Sequence, residues 1–165
     1  MKFRQLSVED AQMYYTLRIE ALENNPDAFA TILEDALKNP IEKTAQNLAM
    51  KNAFTFGAFS EDKLIGNVTL VRNFAPKLHH RGSVYAVYVT PSERGKGLSR
   101  RLMQQLLEFA KTLQGLERLD LAVACENTAA IALYEQLGFK KYGTDSKAMK
   151  TPEKYIDEHL MVKFL

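Results

Sequence analysis

Val87-Tyr88-Val89-Thr90-Pro91-Ser92-Glu93-Arg94-Gly95-Lys96-Gly97-Leu98-Ser99 is the stretch that decides the architecture. Strand-prone residues run into Pro91, two glycines follow, and a helical pattern begins at Leu98. Leu98, Leu102, Leu106, Phe109, Ala110 and Leu113 form its apolar stripe, with Arg100, Arg101, Gln104, Glu108 and Lys111 largely opposite. Gln114-Gly115 closes it. The first turn of a helix leaves N–H groups unpaired, and the helix dipole adds partial positive charge there. Glycines at 95 and 97 remove the β-carbons that would keep an anion from those amides. Arg94, Lys96, Arg100 and Arg101 bring further positive charge. The chemistry implied is phosphate or pyrophosphate binding.

Three other readings of this turn are weaker. A P-loop needs G-x-x-x-x-G-K-[ST], and Lys96 is followed by Gly97. A Rossmann turn needs a third glycine where Arg100 stands. Asp120 would serve as its ribose-binding acid, but too little chain follows to finish such a sheet. The remaining alternative is a helix whose N-terminus is merely glycine-rich and basic.

Downstream, Leu119, Leu121 and Val123 alternate with Asp120, Ala122 and Ala124 as a strand. Asn127 caps a short helix carrying Ala130, Leu133, Tyr134 and Leu137, and Gly138 ends it. Phe139–Tyr142 and Tyr155–Phe164 read as two last strands, joined by a connection over Lys147–Tyr155. Upstream, Ser83–Thr90 is a strand, and Ala53–Phe59 with Leu64–Val71 makes a hairpin around a polar turn. Phe3–Leu6 is a first strand. Ser7 and Asp10 form a capping box for a helix with Val8, Ala11, Tyr15, Arg18, Ile19 and Leu22 on its apolar face. A weaker helical region lies within Ile32–Met50, interrupted at Pro40. The fold expected is α/β, with strand–helix–strand–helix–strand in its second half and one domain over residues 1–165.

Composition limits the function classes. Of 165 residues, 46% are apolar and 25% charged, which fits a globular core. Twenty-two basic against twenty acidic residues leave a net charge of +2, so neither nucleic acid nor an anionic membrane is singled out as a partner. Cys125 is the sole cysteine, which excludes an internal disulfide and a multi-cysteine zinc site and fits a reducing cytoplasm. No apolar run is long enough to span a bilayer, and Met1–Leu6 is too polar for a signal peptide core.

The stretch from Val87 to Ser99, with its V-x-P strand end and R-G-x-G turn, resembles the coenzyme A pyrophosphate loop of the GNAT superfamily of N-acetyltransferases. Ser92 departs from the Q/R that opens the family's Q/R-x-x-G-x-G/A pattern; the contacts there are mainly backbone amides. N-x-x-A-x-x-x-Y-x-x-x-G-F, from Asn127 to Phe139, resembles the family's second signature. The resemblance extends along most of the chain. It implies a mixed, mostly antiparallel central sheet with flanking helices. It implies acetyl-CoA as co-substrate, no metal and an amine acceptor; a homodimer is common among similar proteins.

The implied site can be stated by residue. Pantetheine lies between the strand ending at Val89 and the strand ending near Ala124, pairing with backbone around Val87, Tyr88 and Val89. The Val89 N–H is the oxyanion donor. Arg94, Gly95, Lys96, Gly97, Leu98 and Ser99 hold the diphosphate, Asn127 contacts the cofactor, and Tyr134 donates a proton to the departing sulfur. An alkylamine, with a pKa of ~10.4, must first lose a proton. The base stays open between Glu126, Tyr85 and a water chain, because the glutamate of similar N-terminal acetyltransferases falls on Ala122. The first two helices and the last connection are expected to line the acceptor groove, where a carboxylate of Tyr155-Ile156-Asp157-Glu158 is a candidate amine holder.

A small-molecule amine is the leading acceptor. A protein N-terminus or lysine, and a CoA-sensing module without turnover, are the alternatives. His79-His80 read as solvated. Cys125, with no histidine near it in sequence, reads as inert packing, and Arg100-Arg101 as either a solvated helix face or a ribose-phosphate contact.

Overall fold

A change of period organises the chain: segments with alternating apolar residues become strands, and those repeating every three or four become helices. The computed structural model describes residues 1–165. Its strands are β1 (Lys2–Gln5), β2 (Ala53–Ser60), β3 (Lys63–Arg72), β4 (Arg81–Val89), β5 (Arg118–Ala124), β6 (Lys140–Lys150) and β7 (Tyr155–Phe164). The helices are α1 (Ala11–Asn24), α2 (Leu33–Lys38), α3 (Ile41–Leu48), α4 (Leu98–Thr112) and α5 (Thr128–Gln136). One seven-stranded sheet has the order β1-β2-β3-β4-β5-β7-β6. Every neighbouring pair is antiparallel except β4 and β5, which the crossover through α4 makes parallel. No helix is long and apolar enough to cross a membrane.

The larger core lies under α4. Leu98, Leu102, Met103, Leu106, Leu107 and Ala110 are buried there, against Val68, Leu70, Val84 and Leu119 among others. Each buried leucine contributes roughly 1.5–3 kcal/mol, so the four leucines, with Met103 and Ala110, fix α4 and the turn that feeds it. Phe109 extends the stripe by packing on Phe54 and Phe56, with centroids 4.8 and 5.3 Å away. A smaller core joins α1 to Phe59, Leu64 and Tyr88.

Two sequence expectations change here. The buried face of α1 is Ala11, Tyr14, Leu17, Ala21 and Leu22, rotated about one residue from the expected stripe. Apolar residues surround this helix: one set packs on the sheet, while Tyr15 and Ile19 line a groove beside it. Val8 is exposed. The last strand has the bounds expected, but β6 is longer: it continues to Lys150, and the connection shrinks to residues 151–154. As an edge strand with its side chains mostly exposed, β6 carries no alternating apolar signal.

The capping box becomes an ionic clamp. Asp10 is buried, accepts the Ser7 N–H at 2.8 Å and receives two Arg4 nitrogens at 2.6 Å each. The hydrogen-bonded guanidinium holds its carboxyl below the ordinary value of 3.8 despite burial. A lowered carboxylate pKa gives stability that is present above the ordinary value and lost as pH falls below it. Asp10→Ala is expected to cost about 2–4 kcal/mol at neutral pH. Urea unfolding checks this; the difference from wild type should shrink below about pH 4.

Candidate active site

The central strands part in the middle of the sheet. β4 stays paired with β3 as far as Val89↔Gly66, whereas its pairing with β5 covers only Arg81 to Ser83. β5 follows β7 instead, to Ala124↔Glu158. Beyond Ser83 the facing edges of β4 and β5 therefore enclose a gap. The Thr90 N–H donates to Ile65 O at 2.9 Å, toward β3. Strand alternation then turns the main-chain groups of Val89 to the gap and those of Tyr88 to β3.

A bulge marks where β4 bends away. Ala86 has φ 54°, a left-handed conformation costing a non-glycine residue about 1–2 kcal/mol. Buried Asn67 holds it by donating from Nδ2 to Ala86 O at 2.7 Å. Bulges bend a strand and increase its twist, consistent with the parting from β5.

At the end of β4 the chain turns into α4 through Gly95 and Gly97, with φ 78° and 76°. A β-carbon at either position would meet nothing within 4 Å, so the space beside both glycines is open. No main-chain N–H from Gly95 to Arg100 donates within the protein; the first to do so is Arg101, to Gly97 O at 3.1 Å. Six consecutive donors at a 15-residue helix's N-terminus make an anion cradle.

The four cations expected around this cradle are partnered elsewhere. Arg94 donates to Val89 O at 2.9 Å and Asn25 Oδ1 at 2.6 Å, with its guanidinium over the Tyr88 ring. Lys96 pairs with Glu93 at 2.8 Å, Arg100 donates to Gln136, and Arg101 lies over Phe3. Only Lys96 is neutralised by a carboxylate; Arg94, Arg100 and Arg101 keep their charge near the turn and add to the field of the amides and the helix dipole. Tyr88 is likewise turned away: its hydroxyl donates to Glu20 at 3.0 Å, where Thr90 Oγ1 also donates at 2.7 Å. This staple between α1 and the end of β4 had no signal in the sequence.

On the β5 side, Asn127 Oδ1 accepts the Ala130 N–H at 3.2 Å, the expected cap of α5. Tyr134 is buried in the same core as Val89, Leu98 and Val123, residues from both banks of the gap. It meets Phe139 edge-on, and its hydroxyl has no hydrogen-bond partner in the protein. Burial pushes its pKa up to about 12, so it holds its proton throughout the physiological range.

The other candidates separate. Glu126 is exposed and pairs with Lys154, which also holds Asp27. Tyr85 is exposed on the groove beside the bulge. His79 and His80 use main-chain carbonyls to hold Arg72 and the start of β5. Asp157 accepts the Lys147 N–H, while burial and Asp145 raise the Glu158 pKa. Cys125 is less isolated than its sequence neighbours suggested: His159 Nδ1 lies 3.3 Å from its Sγ and 3.1 Å from Thr144 Oγ1. Only the β5–β7 register, which pairs Val123 with His159, brings them together.

A groove of about 420 Å³ lies between α1, α3 and the sheet, and Tyr85 and Ala86 are in its wall. It thus reaches the bulge that precedes the gap. No group of three or more His, Cys, Asp or Glu side chains is placed to hold a metal ion.

With this geometry in place, the comparisons with known proteins are consistent. The acetyltransferase (GNAT) family profile matches residues 12–139, and the chain belongs to that family. It is 29% identical over 139 residues to a mycothiol acetyltransferase of Renibacterium salmoninarum, covering 84% of this chain and 40% of that protein. It is 34% identical over 85 residues to the spermidine N(1)-acetyltransferase of Vibrio cholerae, covering 51% of this chain and 47% of the relative. The matched region thus spans less than half of either relative. The fold matches a GNAT-family acetyltransferase from Streptococcus pneumoniae with TM-score 0.87 at 24% identity, covering 99% of both chains. It also matches the yncA protein of Salmonella typhimurium, solved with its cofactor acetyl-CoA, with TM-score 0.87 at 17% identity, covering 99% of this chain and 93% of that one.

Proposed function

We propose that the chain is one domain, residues 1–165, that transfers the acetyl group of acetyl-CoA directly to a primary amine of a small molecule. One observation carries this reading: the β4–β5 gap ends at six consecutive unpaired amides, Gly95 to Arg100. A pyrophosphate fits that cradle, because amides satisfy its oxygens and the glycines present no β-carbon to them. A thioester arm fits the gap, where Val87 and Val89 offer a strand edge.

In this reading the Val89 N–H donates to the thioester oxygen as negative charge builds on it. The amine lone pair forms the new C–N bond, the C–S bond breaks with its electron pair to sulfur, and the nitrogen loses one proton. Tyr134, protonated across the physiological range, donates its phenolic proton to the departing sulfur and regains one from solvent, which takes up the proton lost by nitrogen. Asn127 fixes the start of α5 and so the placement of Tyr134 two turns later. The names of the relatives supply precedent for amines of differing chemistry; the groove, enclosed on three sides by helices and sheet, favours a small acceptor over a protein terminus.

Calorimetry with acetyl-CoA, followed by thiol release against amines and peptides read by mass spectrometry, tests this. Binding together with amine-dependent release is expected. Absence of binding overturns the cradle, binding without release to any acceptor favours a sensor, and acetylated peptides alone favour a protein substrate.

A further inference from the structure

The groove beside the bulge has two charged side chains in its lining, Arg18 and Lys43, and no carboxylate. Each reaches only a neutral oxygen. Arg18 donates to Thr31 Oγ1 at 3.2 Å, and Lys43 to Asn39 Oδ1 at 3.1 Å. Neither has an acidic partner within 4 Å. Arg18 is half-buried on α1, while Lys43 is exposed on α3.

A guanidinium carries five donors in a planar fork suited to a carboxylate or phosphate. Removing it partly from water without a counter-charge is unfavourable, so this position is primed for an anion. The rest of the wall is largely apolar, with Ile19, Leu48, Met50 and Val71 contributing. Tyr85 and Ala86, in the same wall, mark the approach to the gap, where the nucleophilic nitrogen must arrive.

We infer that the acceptor is an anionic amine: a small molecule with a primary amine, an apolar stem and a carboxylate or phosphate gripped by Arg18, with Lys43 adding to the attraction. This assignment rests on the acetyltransferase reading and names its substrate class. A polyamine would bring a second cation into a groove that already holds two and has no acid to receive it.

The test uses the full chain, acetyl-CoA and four amines sharing one apolar stem, which end in a carboxylate, a phosphate, a neutral amide or a second amine. Thiol release gives kcat and KM, and calorimetry with acetyl-CoA verifies each variant. One of the anionic amines should have a KM roughly 10- to 100-fold below that of the amide, with the diamine poorest. Whichever anion wins identifies the head group. Arg18→Ala should raise KM for that amine by a similar factor with a much smaller change in kcat, and Arg18→Glu should turn the preference toward the diamine. Lys43→Glu, at an exposed position, should move the ratio in the same direction by less, and it remains informative if the Arg18 variants do not fold. Preference for the diamine or amide overturns the inference, as does an unmoved ratio in Arg18→Glu that still binds acetyl-CoA. Transfer to none of the four, with acetyl-CoA bound, overturns this assignment, whereas the transferase reading falls only if no amine or peptide of the wider screen is acetylated.

Discussion

Gly97→Asp is expected to fold about as stably as wild type and to lose at least ~100-fold in affinity for acetyl-CoA. Two opposing effects make the stability nearly neutral. Gly97 caps α4 at φ 76°, which disfavours any side chain, although aspartate tolerates that region better than most. The negative charge of aspartate suits the positive end of the helix. Its β-carbon meets nothing within 4 Å, so no internal clash is introduced. The carboxylate instead competes for the amides that would hold the diphosphate and adds negative charge beside it. Losing two charge-assisted hydrogen bonds, at about 1.5–3 kcal/mol each, sets the expected factor. Gly97→Ala should show the reverse ranking: less stable by about 1–2 kcal/mol from its positive φ, yet a better binder than the aspartate variant. Calorimetry and urea unfolding on both variants separate cradle from scaffold. Wild-type affinity in Gly97→Asp would remove the amides from the binding site.

What the sequence disclosed follows from the range of the forces involved. The turn at 95–97 was readable because its chemistry is local: positive φ at both glycines and unpaired amides belong to one short segment. The capping role of Asn127 was readable for the same reason. The buried face of α1 is not legible from periodicity because two environments, sheet and groove, both recruit apolar residues around one helix. Side-chain reach defeated the reading of the basic cluster: Arg94 folds back on Val89 and Asn25 and leaves the main chain to meet an anion. Partners fixed by strand register, such as Cys125 and His159, lie too far apart in sequence for a local pattern to link them. The Arg18–Lys43 pairing in one groove wall had the same obstacle, since α1 and α3 are separate elements that only packing brings together.

Tyr134→Phe should lower kcat about 10- to 100-fold and leave stability and acetyl-CoA affinity close to wild type. The lower end of general-acid effects applies because a thiol of ordinary pKa ~8.5 yields a tolerable leaving thiolate without help. Stability is spared because the hydroxyl has no protein partner to abandon, and phenylalanine keeps the edge-on contact with Phe139. The pH dependence supplies a second check. Burial pushes the phenol to about 12, so the group stays protonated well past neutrality and adds no falling limb below about pH 10. Wild type and variant should therefore rise in parallel with pH as the acceptor amine loses its proton. Their kcat ratio should stay constant up to about pH 10. A phenol pKa raised in the folded state also means that folding holds the proton more tightly. Its linkage is neutral below the unfolded value of 10 and costs stability as pH climbs from there toward about 12. The phenylalanine variant lacks that loss, so its unfolding curve should move ahead of wild type only in alkali. Turnover equal to wild type would reduce Tyr134 to packing between β5 and α4, and proton delivery to sulfur would then have to come from solvent in the gap.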